Sequence, residues 1–126
     1  MKKTESEEEI MGKEALAYSP LPWRVVKTNT DVYIYSAYSD VEKKRFPYSN
    51  GRLIAKVGDY TAFSQEKNAY LIAAAPELLI AAKLSLAYLN GREPIEPGSV
   101  ESKLKGVLQK VITKAEAFEH EEEESN

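Results

Sequence analysis

The residues best suited to chemistry in this chain are cations, aromatic side chains and one amide near a single predicted strand-to-helix junction. The six candidates are Arg24, Arg52, Lys56, Tyr60, Phe63 and Asn68. An arginine fork binds phosphate bidentately, and an aromatic ring offers a face on which a base can stack. The free N–H groups of a helix N-terminus also attract anions. Together the six predict a site for a nucleotide-like ligand, although each taken alone is also typical of a solvated charge or a core aromatic side chain.

Residue types that carry catalysis are scarce. The chain has no cysteine, and its one histidine, His120, lies among the glutamates of the C-terminal tail. We interpret His120 as a solvated residue rather than a metal ligand or a base. Glu93 and Glu96 flank Pro94 and are interpreted as solvated loop charges. There is no glycine-rich phosphate loop and no Ser/His/Asp set. The sequence therefore predicts a protein that is not an enzyme and that uses no metal or cofactor.

Two strands are predicted at the start of the domain, and the first of them contains Arg24. Residues 23–27 and 32–38 are rich in β-branched and aromatic side chains, and residues 29–31 have turn chemistry. In the second strand Val32 and Ile34 alternate with tyrosines, so both faces carry apolar groups and we expect both to be covered. Trp23 is interpreted as a core anchor at the sheet edge, with a ligand-stacking role as the alternative.

Two further strands are predicted before the helices begin. A weak one lies near residues 44–48, where Pro47 favours an edge strand or a loop. Residues 49–52, Ser-Asn-Gly-Arg, are typical of a type I′ hairpin turn, because Asn-Gly accepts positive φ angles. Residues 53–57 follow as the last strand.

Two helices complete the predicted fold. Leucine, isoleucine and alanine recur at spacings of three and four residues from about Ser64 to Asn90, which indicates a long helix. We favour a kink at Pro76; the alternative is a first helix ending near Ala74 and a second one starting at Pro76. Ser99 is a good N-cap for a second amphipathic helix of about 20 residues. Its apolar stripe is Val100, Leu104, Val107, Leu108, Val111, Ile112, Ala115 and Phe118.

These elements predict an α+β fold, in which a small antiparallel β-sheet is followed by two C-terminal antiparallel helices. Residues 19–118 are predicted to form a single domain, between a flexible acidic segment at 1–18 and a disordered acidic tail at 119–126. The net charge of the whole chain is −3, but this value includes the acidic ends. Residues 10–118 alone carry 15 basic and 11 acidic residues, so this part of the chain has a positive net charge. We interpret the acidic ends as solvated tails. The alternative is that one of them covers a basic site.

The apolar composition also bears on partners. No uninterrupted apolar run reaches the roughly 18 residues that span a bilayer, and no signal peptide is recognisable, so we expect an intracellular protein with no membrane partner. A tyrosine-rich sheet and two long amphipathic helices in so small a chain favour self-association. We therefore expect a homodimer or a larger homo-oligomer with closed symmetry.

Three segments resemble a family of small proteins encoded by bacteriophages and prophages. The segments are PLPWRV at 20–25, GRLIAKV at 51–57 and NAYLIAAAPELL at 68–79. The usual family pattern is a Pro-Trp-Arg entry, a Gly-Arg strand and an NARLIAAAPELLEAL helix; here Tyr70 replaces the arginine and Ile80 replaces a glutamate. The match covers about residues 19–90. The resemblance implies a phage protein that works in the host cytoplasm.

The order of sheet and paired helices is also similar to that of the phage Thoeris anti-defence sponges. This likeness implies an oligomer that sequesters cyclic ADP-ribose-type immune signals without cleaving them. The alternative is an inhibitor, anti-CRISPR-like or otherwise, that binds a host defence protein directly. Nucleic-acid binding is disfavoured, because no recognition motif is present and the acidic ends repel phosphate.

Overall fold

A computed structural model describes residues 18–59 and 61–118 of the chain. Most of the N-terminal segment predicted to be flexible lies outside the described residues. So do the acidic tail that carries His120 and the candidate site residue Tyr60.

Within the described residues, the chain contains three strands and three helices. They are β1 (Trp23–Lys27), β2 (Val32–Ser36), α1 (Asp40–Arg45), β3 (Arg52–Val57), α2 (Ala62–Asn90) and α3 (Val100–Ala115). The strands form one antiparallel sheet in the order β1-β2-β3. The predicted α+β class, with an antiparallel sheet followed by two C-terminal helices, is confirmed.

The described residues form two compact units, 18–77 and 78–118. In the first unit, the core lies between the inner face of the sheet and the N-terminal half of α2. Ile34 is fully buried there, with Val32 and Val57 on the sheet side and Ala69 and Ala73 on the helix side. Because both helix residues are alanines, the backbone of α2 can approach the sheet closely.

Two features complete this core. Trp23 packs against the buried cluster and its Nε1–H donates to the Ser19 carbonyl at 3.1 Å, so the core-anchor interpretation of Trp23 is confirmed. A β-bulge shifts the β2–β3 register, because Ile34 pairs with Ala55 whereas the next residue of β2 pairs with Leu53. The extra residue, Ile54, is left packed against the core.

The strand predicted near residues 44–48 is wrong, because this part of the chain contains the short helix α1 instead. Ser39 and Glu42 form a capping box, in which the Ser39 hydroxyl accepts from the Glu42 N–H and the Glu42 carboxylate accepts from the Ser39 N–H. Asp40 in the first turn and Arg45 in the last complement the helix dipole. Gly51 has the expected positive φ of +117°, but its loop joins α1 to β3 and closes no hairpin.

Helix α2 begins at Ala62, two residues earlier than predicted. Thr61 supplies the reason, since its hydroxyl accepts from the Ser64 N–H at 3.1 Å and its carbonyl accepts from Gln65. The helix continues through Pro76 and ends at Asn90. The single-helix alternative is therefore confirmed and the two-helix alternative is wrong.

The second unit contains the C-terminal part of α2, a loop and α3. Ser99 caps α3 as predicted, because its hydroxyl accepts from the Ser102 N–H. Lys83 and Glu116 form a largely buried ion pair at 2.8 Å. The ion pair joins the C-terminal part of α2 to the C-cap residue of α3.

The apolar stripe of α3 is shorter and more open than predicted. The helix has 16 residues, and none of them is buried. Leu108 and Ile112 are half-buried, whereas Val100, Val107 and Val111 are exposed within the chain described. The stripe is therefore only partly used for packing inside one subunit.

By length and composition alone, α2 is able to cross a membrane. The sequence expectation counted uninterrupted apolar residues and missed this, because the helix tolerates a few charges within its apolar length. Core helices of soluble proteins and signal sequences satisfy the same criterion, so the finding is weak support for a membrane span.

Candidate functional site

The outer face of the sheet brings two cations and two tyrosines together. Arg24 of β1 lies directly opposite Tyr35, and Lys56 of β3 lies directly opposite Tyr33. Side chains alternate between faces along a strand, so all four lie on the face opposite Ile34 and the core. The two tyrosine rings are half-buried, with centroids 6.2 Å apart and planes inclined by 59°. We name these four residues the tyrosine face.

Lys56 is held at the tyrosine face by an acidic turn. Its Nζ lies 3.2 Å from Asp31, which also accepts from the Thr30 hydroxyl at 2.9 Å and the Tyr33 hydroxyl at 3.4 Å. The hydrogen bond from Thr30 and the charge of Lys56 lower the pKa of Asp31 below 3.8, and Asp31 in turn raises the pKa of Lys56. Lys56 is therefore a protonated cation at neutral pH, and its side chain is 62% exposed.

Arg24 provides a second cation at the tyrosine face. Its guanidinium donates to the backbone carbonyl of Asn50, which is a neutral acceptor and does not neutralise the positive charge. The contact fixes the guanidinium near the loop before β3 and leaves its positive charge available to an anion.

A shallow groove of about 350 Å³ lies between the end of β3 and α2. It is lined by Ala55, Lys56, Val57, Gly58, Asn68, Leu71 and Ile72. The Asn68 amide donates to Asp59 at 3.2 Å, so a polar edge faces an apolar wall. Lys56 belongs both to the groove and to the tyrosine face, which makes it the residue that links the two.

The six residues predicted to bind a ligand do not all meet in one place. Arg24 and Lys56 share the tyrosine face, and Lys56 and Asn68 share the groove. Arg52 is instead paired with Glu42 of α1 at 2.8 Å. Phe63 is 74% exposed and lies outside the groove lining, with the Lys67 ammonium 5.0 Å from its ring centroid.

Tyr33 and Tyr35 are the residues that the sequence argument left out of the site. Their signal was present, because a strand of alternating apolar residues and tyrosines must place the tyrosines on one face. Which face would stay open depends on where α2 packs, and that is a tertiary property. Among residues 18–59 and 61–118, no cluster of acidic or histidine side chains has the arrangement of a metal site.

Comparison with known proteins points to phages. A family model described as Salmonella phage P22 protein Y8K6 matches residues 6–119. The Phage-like element PBSX protein XkdD of Bacillus subtilis (strain 168) is 52% identical over 101 residues, which are 79% of this chain and 80% of the relative. No solved structure matches the chain.

Proposed function

Because the chain belongs to the phage protein family described as Salmonella phage P22 protein Y8K6, we propose that it acts against host defence by sequestering a nucleotide-derived immune signal. In this proposal a homo-oligomer holds a ligand of the cyclic ADP-ribose type in the host cytoplasm and does not cleave it. The observation that carries the proposal is the tyrosine face, where Tyr33 and Tyr35 lie between Arg24 and Lys56.

Each part of such a ligand has a chemical counterpart either at the tyrosine face or in the groove beside the edge strand β3. An adenine ring stacks on a tyrosine ring, and the stack is worth about 1–3 kcal/mol per base. The pyrophosphate is matched by the cations of Arg24 and Lys56. Asn68 and the groove beside Lys56 supply an amide and an apolar wall for a ribose. These groups bind and orient a nucleotide, and the proposal assigns none of them a role in bond cleavage.

The test is calorimetric titration of the purified protein with cyclic ADP-ribose isomers, ADP-ribose and cyclic dinucleotides. We expect heat of binding with at least one of them, and recovery of the unaltered ligand after the complex is denatured. Tyr33→Ala should weaken binding by about 1–3 kcal/mol, because it removes a stacking ring. Tyr48→Ala is the matched control, since Tyr48 is fully exposed and lies outside the strands. If the protein is folded and binds none of these ligands, the proposal is wrong.

A second candidate function, direct inhibition of a host defence protein, is favoured by the surface around α1. The Tyr38 and Phe46 rings lie 5.8 Å apart, the Arg45 guanidinium lies 5.3 Å from the Phe46 ring centroid, and Tyr48 and Val41 are exposed. Aromatic residues and arginine are the residue types that dominate binding energy at protein interfaces.

The two functions are separated by the same pair of variants. A host protein that is captured stoichiometrically by the wild type and lost with Tyr48→Ala, but kept with Tyr33→Ala, supports direct inhibition. Loss of nucleotide binding with Tyr33→Ala alone supports sequestration.

A further inference from the structure

One side of α2 presents exposed residues at spacings of four, three, four and three. They are Phe63, Lys67, Tyr70, Ala74 and Glu77. This is the a/d spacing of a coiled-coil seam. Phe63 is 74% and Tyr70 is 56% exposed, so the seam carries large aromatic side chains that nothing covers within the described chain. We name these five residues the α2 seam.

The α2 seam runs along the flank of the helix next to its buried face. Ala69 and Ala73 are the residues of that face that are buried against the sheet. With 3.6 residues per turn, the direction midway between them is about 140° from Lys67, about 120° from Ala74 and about 80° from Tyr70. All three of these seam residues are exposed. The seam is therefore available to a partner without any change to the core.

When two copies of the seam are placed side by side in opposite directions, the residues of one copy complement those of the other in charge and size. If two copies of α2 run antiparallel about an axis at position 72, Lys67 faces the partner's Glu77 and Tyr70 faces the partner's Ala74. The dimer therefore contains two contacts between Lys67 and Glu77, which have opposite charges. It also contains two contacts between the large Tyr70 ring and the small Ala74 side chain. Both pairings join an a position to a d position, as the layers of an antiparallel coiled coil require. We infer that the α2 seam is a homodimer interface, in which α2 of one copy packs antiparallel on α2 of a second copy.

Other arrangements of the seam fit the charges less well. A parallel pair would place Lys67 against the partner's Lys67 and Glu77 against the partner's Glu77, which is repulsive in both layers. A bilayer would bury the same two charges in hydrocarbon without a partner, which is costly. In the described part of the chain, neither Lys67 nor Glu77 has an ion-pair partner that would already neutralise it.

The charge pattern provides the first test. Lys67→Glu and Glu77→Lys each convert two attractive contacts into two repulsive ones, so each should weaken the dimer by about tenfold or more. The double variant K67E/E77K restores opposite charges and should recover the wild-type dimer. Sedimentation velocity over a range of concentrations measures all four proteins, and circular dichroism verifies their folding. Because the seam is exposed in one copy, we expect all four to fold.

The absence of native cysteine allows a second test that reports direction. Residues 67 and 77 are ten positions apart, which is about 15 Å along a helix. A mixture of Lys67→Cys and Glu77→Cys subunits should cross-link with a short bifunctional thiol reagent, whereas neither variant alone should do so. Cross-linking of each variant alone would indicate a parallel pair and would overturn the proposal.

Two further outcomes also overturn it. One is a wild-type protein that stays monomeric at every concentration, including a monomer that instead binds lipid vesicles. The other is a dimer that is insensitive to both charge reversals. The proposed function requires an oligomer, which this interface would supply, but the interface does not depend on the ligand. Failure of the nucleotide titration therefore does not contradict the proposed interface. Failure of the tests in this subsection, in turn, does not contradict ligand binding by a single copy.

Discussion

Gly51 shows how strongly one position in this fold restricts its residue type. Its φ is +117°, a conformation that residues with a side chain rarely adopt, and a Cβ built there would lie 2.0 Å from the Ser36 carbonyl oxygen. Ser36 is fully buried on β2, so the clash is with backbone that has no room to move. Glycine is therefore required at position 51 by close packing as well as by its backbone conformation.

The first prediction concerns this glycine. Gly51→Ala should lower the free energy of unfolding by about 3 kcal/mol or more, because backbone strain and a steric clash add. Urea denaturation followed by circular dichroism measures the change. Gly106→Ala is the control with the opposite sign: a Cβ at Gly106 meets nothing within 4 Å. Since Gly106 lies inside α3, alanine there should stabilise by about 0.5–1 kcal/mol. A Gly51→Ala protein as stable as the wild type would contradict the packing of this loop.

A second residue-scale prediction concerns the centre of the core. Ile34→Ala should cost about 2–5 kcal/mol, because Ile34 is completely buried and its removal leaves a cavity. Leu53→Ala is the matched control on the same sheet, since Leu53 is 57% exposed, and it should cost well under half as much. Similar losses for the two variants would mean that the two faces of the sheet are assigned the wrong way round.

At the scale of the elements, helix boundaries are set by hydroxyl caps as well as by the apolar pattern. Ser39 starts α1, Thr61 starts α2 and Ser99 starts α3, and each hydroxyl accepts from a backbone N–H three residues ahead. These N–H groups would otherwise have no partner in the helix. The caps explain why α1 forms at all in a segment whose residue pattern resembles a weak strand.

The third prediction tests one of these caps. Ser99→Ala should destabilise the protein by about 1 kcal/mol, and Ser99→Asp should retain most of the stability, because a carboxylate also caps a helix. Thermal unfolding by calorimetry compares the variants. Ser85→Ala is the control within α2, where the Ser85 hydroxyl only donates back to the Ala81 carbonyl. Its removal should be nearly neutral. Equal effects at the two serines would argue against capping by Ser99.

At the scale of the whole molecule, two carboxyl groups link stability to pH. A hydrogen bond from Arg52 is the main cause that lowers the pKa of Glu42 below 4.5, and a hydrogen bond from Thr30 is the main cause that lowers the pKa of Asp31 below 3.8. A carboxyl group with a lowered pKa in the folded state binds fewer protons than in the unfolded state. It therefore stabilises the fold above its ordinary pKa, and the contribution is lost as the pH falls through the lowered value.

The fourth prediction follows from this sign. The free energy of unfolding should be constant from neutral pH to about pH 5 and should then fall as the pH is lowered further. In the Asp31→Asn/Glu42→Gln double variant this fall should be shallower, because two of the responsible groups no longer titrate. Denaturation midpoints measured at a series of pH values provide the comparison. If the free energy of unfolding falls equally steeply below about pH 5 in the double variant, neither Asp31 nor Glu42 contributes to the pH dependence of stability.

The sequence by itself determined the local elements of this protein. β1 was predicted at its observed bounds, and α2 and α3 were recognised from apolar spacing and from the cap at Ser99. These features depend on side-chain periodicity and on backbone groups only a few residues apart, so neighbouring residue types suffice to predict them. The three motifs that resemble phage proteins were likewise local, and the family match agrees with them.

Only the tertiary structure decided which of these residues act together. Six candidate residues were assigned to one junction, yet Arg52 pairs with Glu42, Phe63 lies outside the groove, and the missed Tyr33 and Tyr35 lie between Arg24 and Lys56. Strand order, the bulge at Ile54 and the packing of α2 on one side of the sheet determine these neighbours. They bring together residues that are far apart in the chain, and no periodicity within a single segment records the position of a side chain from another segment.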